Sequence, residues 1–282
     1  MITVNKPSDC EAKYILIPFG RHKIKVLTVK PKGLGQQDRV PGVLWLHGGG
    51  YLTGMCEMVY MSRAIDLVAR CGAVVVCPEY TLSPIAPYPR ALKECYTALL
   101  YMKEHANALN IRPDQIIVGG ESAGGGLTAA LCMYARDKGT VNIAFQLPLY
   151  PMLDCYDTDS SKDNHAKVWN TKRNHYAWQL YLRSIKDKSR VPAYASPARQ
   201  TDYANLPPCY TFVGDIEPFY CETLAYINNL KNAGVDARVD VYEGFYHAFD
   251  MMQPQDERAK QAADQFVTCF KEYCAKYYAK QD

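Results

Sequence analysis

The sequence has no apolar run long enough to span a bilayer, so a membrane-spanning helix is not expected. No basic run is longer than a few residues, and the net charge of +3 comes from well-mixed signs, which gives nucleic-acid binding no footprint. The first thirteen residues are polar and contain no apolar h-region, so no secretory signal is expected. Internal repeats and low-complexity tracts are also missing. There are eleven cysteines but no Cys-x-x-Cys pair, which removes the spacing of zinc and thioredoxin-type sites. The odd count, the scatter and the size of the chain argue against a disulfide scaffold. Cys71, Cys77, Cys95, Cys132 and Cys209 lie in or beside apolar stretches, as reduced, mostly buried thiols of a cytoplasmic protein would.

What is present is an ordinary apolar fraction and 282 residues, the size of one large α/β domain or two small ones. Hydrophobic periodicity predicts strands over 14–19, 23–29, 43–46, 73–77, 115–118, 143–149, 209–213 and 237–242. Helices are predicted over 58–70, 89–105, 127–136, 219–232 and 257–278, with Gly234 closing the fourth. The two earliest strands flank Gly20-Arg21 and form an antiparallel hairpin. The stretch 73–77 is apolar throughout, the pattern of a parallel strand buried on both faces. Strands alternating with helices give a mostly parallel, eight-stranded sheet with helices on both sides, in a single domain. Residues 156–199 break the rhythm. They are rich in charge and aromatics (Trp169, Tyr176, Trp178, Tyr181), and are expected to form a helical cap insertion over the top of the sheet.

The chemistry is concentrated in Gly120-Glu121-Ser122-Ala123-Gly124, between a predicted strand and a predicted helix. Strand, sharp turn carrying serine, then helix is the context of a nucleophile elbow, whose flanks come too close to neighbouring backbone for any residue but glycine. A serine hydroxyl needs a base, and the base needs an orienting carboxylate. His247 follows the last strand and shares the carboxyl edge of the sheet with Ser122. His22, His105, His165 and His175 lie in the hairpin, on a helix flank or in the insertion. The acid belongs between Ser122 and His247, after the strand 209–213, where Asp215 and Glu217 both stand; spacing does not choose between them. Oxyanion donors are expected from the amide of Ala123 and from the loop His47-Gly48-Gly49-Gly50 after the third strand.

These motifs resemble the hormone-sensitive-lipase-like family of α/β-hydrolases, the microbial esterases. The similarity runs over nearly the whole chain. It is carried by His47-Gly48-Gly49-Gly50-Tyr51, Glu79-Tyr80 with Pro84 and Pro87, Gly120-Glu121-Ser122-Ala123-Gly124-Gly125, Ser196-Pro197, Leu206-Pro207-Pro208 and Tyr246-His247-Ala248-Phe249. The resemblance implies an α/β-hydrolase fold and a triad of Ser122, Glu217 and His247. Glu217 is favoured over Asp215 because Glu217-Pro218-Phe219 matches the family's acid segment, and Glu222 matches a second family acid. It also implies oxyanion donors at Gly49, Gly50 and Ala123. The chain departs from the family pattern in carrying Glu for the usual Asp, Glu79-Tyr80-Thr81 for the usual Asp-Tyr-Arg, Ala248 for a usual Gly, and little of the N-terminal cap. The expected activity is serine-dependent hydrolysis of short-chain acyl esters, acetyl to roughly butyryl. No metal and no cofactor are implied. The expected partner is a small-molecule ester, with a homodimer allowed. Alternatives on the same scaffold are an amidase or formamidase, or a non-catalytic ligand-binding homologue.

Overall fold

The computed structural model describes residues 8–281, so residues 1–7 of the polar N-terminal stretch lie outside it. Eight strands form one sheet: β1 (Cys10–Phe19), β2 (His22–Pro31), β3 (Val40–Leu46), β4 (Val74–Pro78), β5 (Ile111–Glu121), β6 (Gln146–Leu149), β7 (Cys209–Gly214) and β8 (Ala237–Tyr242). Their order across the sheet is β1-β2-β4-β3-β5-β6-β7-β8. Strand β2 runs antiparallel to both its neighbours, and every other pairing is parallel. The hairpin turn closes with Phe19 opposite His22, and Gly20 takes the left-handed conformation (φ +57) that the tight turn requires.

The period-2 pattern of the central strands sorts their side chains between two cores. Leu44, Leu46, Val74, Val76, Ile116 and Val118 face the layer of α2 (Arg90–Glu104) and α3 (Ala123–Lys138). Val43, Trp45, Val75, Cys77 and Ile117 face α1 (Ala64–Cys71) and α7 (Glu257–Lys276), whose Leu67, Val68, Phe266 and Phe270 complete the second core. With both faces covered, each fully buried valine of β4 contributes about 1.5–3 kcal/mol. A third cluster joins α3 to α5 (Tyr220–Asn232) through Ala129, Met133, Tyr226 and Leu230. Helix α5 stops where Gly234 takes φ +78, its amide bonding to Lys231 O and that of Val235 to Leu230 O, both at 2.9 Å.

The predicted helix over 58–70 is divided. A 3-10 helix, Cys56–Met61, precedes α1, and Ser62 separates them in an extended conformation. The Ser62 hydroxyl donates to Val59 O and accepts from Ala64 N, so the side chain competes with helix continuation. Strand β6 is shorter than the predicted 143–149, and a short helix α6 (Phe249–Met252) was not anticipated. The insertion 156–199 is less helical than expected. It holds one α-helix, α4 (Thr171–Tyr181), capped by the Asn170 side chain, and two 3-10 turns; the rest is irregular chain tied by side-chain bonds such as those of Asn164 to Ser160 O and Ile216 O. Ala177, Trp178 and Tyr181 anchor α4 in the core on the α2–α3 side.

Candidate active site

Strand β5 ends at Glu121 and α3 begins at Ala123, leaving Ser122 alone between them at φ 59, ψ −119. A side chain there is strained, and that conformation lifts Ser122 Oγ clear of the strand. The flanking glycines are steric requirements. A Cβ on Gly120 would stand 2.4 Å from Leu46 O, and one on Gly124 only 1.9 Å from the same atom.

The loop after β8 brings His247 to this turn. Its Nε2 lies 2.8 Å from Ser122 Oγ, and its Nδ1 is hydrogen-bonded to Glu217 Oε2. Glu217 sits in the loop between β7 and α5 and is fully buried; its other oxygen accepts from Gly214 N at 3.2 Å. Asp215 faces elsewhere, accepting from Gly244 N at 2.7 Å, so of the two candidate acids it is Glu217 whose carboxylate reaches the imidazole. With Glu217 accepting at Nδ1, the tautomer assigned from the network carries its proton there and leaves Nε2 as the acceptor facing Ser122. Tyr150 and Phe219 pack edge-on against the imidazole, with centroids 5.1 and 5.0 Å away.

The loop after β3 closes the other side. Gly49 and Gly50 both have positive φ (+109 and +61). Among the described residues, the amides of Gly49, Gly50 and Ala123 donate to no protein acceptor, so they remain available to a negatively charged oxygen.

Two residues that the sequence shows only as parts of motifs support this loop. Glu121 is buried, and its two oxygens accept from Trp45 Nε1 (2.5 Å) and Gly48 N (3.1 Å), which clamps the loop to the elbow. Burial pushes its carboxyl from the usual 4.5 up to about 8, against the pull of those two donors. A charged residue directly after the apolar run 116–120 is the signal for it in the sequence. The second support is His47. Its ring stacks on Tyr80 at 4.1 Å, its Nδ1 donates to Gly48 O at 2.8 Å, and Tyr80 Oη donates to its carbonyl at 2.7 Å. Burial lowers the imidazole to about 4, so it is neutral at pH 7. Farther back, Glu222 Oε1 accepts from Leu153 N (2.6 Å) and Asp154 N (3.2 Å), holding the loop after β6; burial raises its carboxyl well above the ordinary range.

Among the described residues, Cys56, Glu57 and Glu79 form a cluster with the donor set of a metal site. Lys25 Nζ stands 3.1 Å from Glu57 and 2.5 Å from Glu79, so an internal cation already balances these carboxylates. The buried thiols of Cys77, Cys95, Cys132 and Cys209 are free.

A family profile described as alpha/beta hydrolase fold matches residues 43–251. Among curated relatives, esterase LipI of Mycobacterium tuberculosis is 29 % identical over 221 residues, covering 78 % of this chain and 68 % of LipI. An arylesterase of Saccharolobus solfataricus is 29 % identical over 210 residues, covering 73 % of this chain and 67 % of the relative. The chain thus spans about two thirds of the length of the curated relatives it matches. Among solved structures, a bacterial heroin esterase superposes with a TM-score of 0.89 at 30 % identity, covering 95 % of this chain and 85 % of the other. A hyperthermophilic esterase from the archaeon Pyrobaculum calidifontis gives 0.84 at 28 %, covering 93 % and 83 %. With the elbow at the end of β5, the imidazole after β8 and the sheet order already described, these matches identify the chain as a member of the alpha/beta-hydrolase family, in its hormone-sensitive-lipase-like branch.

Proposed function

We propose that the protein is a serine carboxylic-ester hydrolase acting on short-chain acyl esters of small molecules. The observation that carries this reading is the continuous hydrogen-bonded chain from Ser122 Oγ through His247 to the buried Glu217. Ser122 Oγ attacks the ester carbonyl carbon while His247 Nε2 takes its proton. The carbonyl oxygen becomes an oxyanion held by the amides of Gly49, Gly50 and Ala123 at the start of α3. Collapse breaks the bond to the alcohol oxygen, which leaves with the proton from His247. Water, deprotonated by the same nitrogen, then attacks the acyl-enzyme and releases the acid and the serine. Glu217 fixes the tautomer and stabilises the imidazolium. Residues 156–199 act as the cap. The free thiols fit a reducing compartment, the cytoplasm.

Steady-state hydrolysis of p-nitrophenyl acetate tests the assignment. Ser122→Ala and His247→Ala should abolish activity, and Glu217→Gln should lower kcat by about three to four orders of magnitude, since the neutral amide disturbs the tautomer. Asp215→Asn should stay within about twofold. Full activity in Ser122→Ala, or equal losses in the two acid variants, would refute the assignment.

A further inference from the structure

Trp169 has no role in the chemistry above, yet it touches the groups that perform it. A methyl group built on Gly50 would fall 2.1 Å from Trp169 Cη2 and 2.9 Å from Cζ2, so the edge of the indole rests on the Gly50 α-carbon. The ring also packs at 6.4 Å, centroid to centroid, from both His247 and Phe219. It therefore borders the ground between an oxyanion donor and the imidazole, where a bound ester must lie.

This placement is built into the backbone. Trp169 N donates to Lys167 O at 2.8 Å, closing a three-residue turn around Val168. Val168 has φ +68, a region that β-branched residues avoid and that marks the strained hand of such turns. The surrounding structure over-determines the turn. Arg173 donates to Val168 O, Asn170 Oδ1 accepts from Arg173 N at 3.2 Å, and Trp169 Nε1 donates to the buried Asn174 Oδ1 at 3.3 Å. The indole is thus bolted to the first turn of α4, itself anchored in the core. Strain maintained in this way is concentrated at ligand-facing positions.

We propose that Trp169 is a specificity-determining residue, a rigid wall that limits the size of the ester group accepted between Gly50 and His247. The proposal rests on Ser122 being the nucleophile and deepens that reading: it names the side chain that confines the enzyme to small esters. No covalent step involves the indole; it acts by excluding volume.

The test compares kcat/KM of the wild type, Trp169→Phe and Trp169→Ala on two series. One lengthens the acyl group of p-nitrophenyl esters from acetate to octanoate. The other keeps acetate and enlarges the alcohol from p-nitrophenol to naphthol. Trp169→Ala should raise the preference for the larger member of at least one series by about tenfold or more, the scale on which pockets discriminate methylene groups, and Trp169→Phe by less. The series that responds identifies which side of the ester faces the wall. If Trp169→Ala does not fold, Trp169→Phe alone must still shift the ratio in the same direction. Unchanged ratios in both series, or a uniform loss on all esters, would overturn the proposal. Hydrolysis surviving Ser122→Ala would instead overturn the catalytic reading, and is read separately from the ratios.

Discussion

Ala248, the residue after the imidazole, adopts φ +56, ψ +32, the left-handed conformation that disfavours a Cβ by about 1–2 kcal/mol. The sequence had singled out this position because the resembling family usually carries glycine there. The backbone at Ala248 takes a conformation that glycine would adopt without a steric cost. Ala248→Gly should therefore stabilise the protein, with the relief partly offset by the extra freedom of glycine in the unfolded chain. Thermal unfolding should show a net gain of about 0.5–1 kcal/mol. A lower melting temperature would mean that the methyl contributes packing that outweighs the strain.

At the scale of the element, the elbow depends on how closely β3, β5 and α3 approach. Gly124 on α3 lies against the backbone of β3, and a Cβ there would sit 1.9 Å from Leu46 O and 2.5 Å from Leu46 C. Backbone cannot rotate away as a side chain can, so Gly124→Ala should cost roughly 3 kcal/mol or more and lower Tm by several degrees. Gly139, which ends the same helix at φ +63 with nothing within 4 Å of its Cβ position, provides the control. Its alanine variant should cost only the conformational term of about 1–2 kcal/mol. Equal costs at the two positions would contradict the steric account. The same contrast explains what could be read beforehand. The two-faced apolar pattern of β4 and the Gly-x-Ser-x-Gly turn are local, so periodicity and motif exposed them. The division of 58–70 at Ser62 depended on one hydroxyl competing for backbone partners, which periodicity does not register. Glu217 and Asp215 stand two residues apart on one loop, and only the return of the chain after β8 brings a histidine to one and an amide to the other. Trp169 reaches Gly50 across more than a hundred residues through a turn whose central valine defies local preference, so no local rule pointed to it.

At the scale of the whole molecule, the site draws on the loops after β3, β5, β7 and β8, all at the carboxyl edge of the sheet, and folding must keep buried polar groups neutral or paired. His47 shows the consequence. Its folded-state value of about 4 lies below the ordinary 6.5, so between those two values the unfolded chain binds a proton that the folded one refuses. Stability contributed by this group is therefore present above pH 6.5 and lost as pH falls toward 4. Denaturant unfolding across that window should show wild-type stability falling more steeply with acidification than that of His47→Gln. Parallel slopes would remove His47 as the cause.

The proposed chemistry rests on Ser122 as a nucleophile activated by His247. The most direct measurement is intact-protein and peptide mass spectrometry after treatment with an alkyl phosphate ester such as diethyl p-nitrophenyl phosphate. The expected result is one diethylphosphoryl group per chain, on the peptide carrying Ser122, in step with the loss of ester hydrolysis, and almost no labelling in His247→Ala. Full inhibition with the label on another residue, or ester hydrolysis that persists once Ser122 is fully labelled, would contradict it.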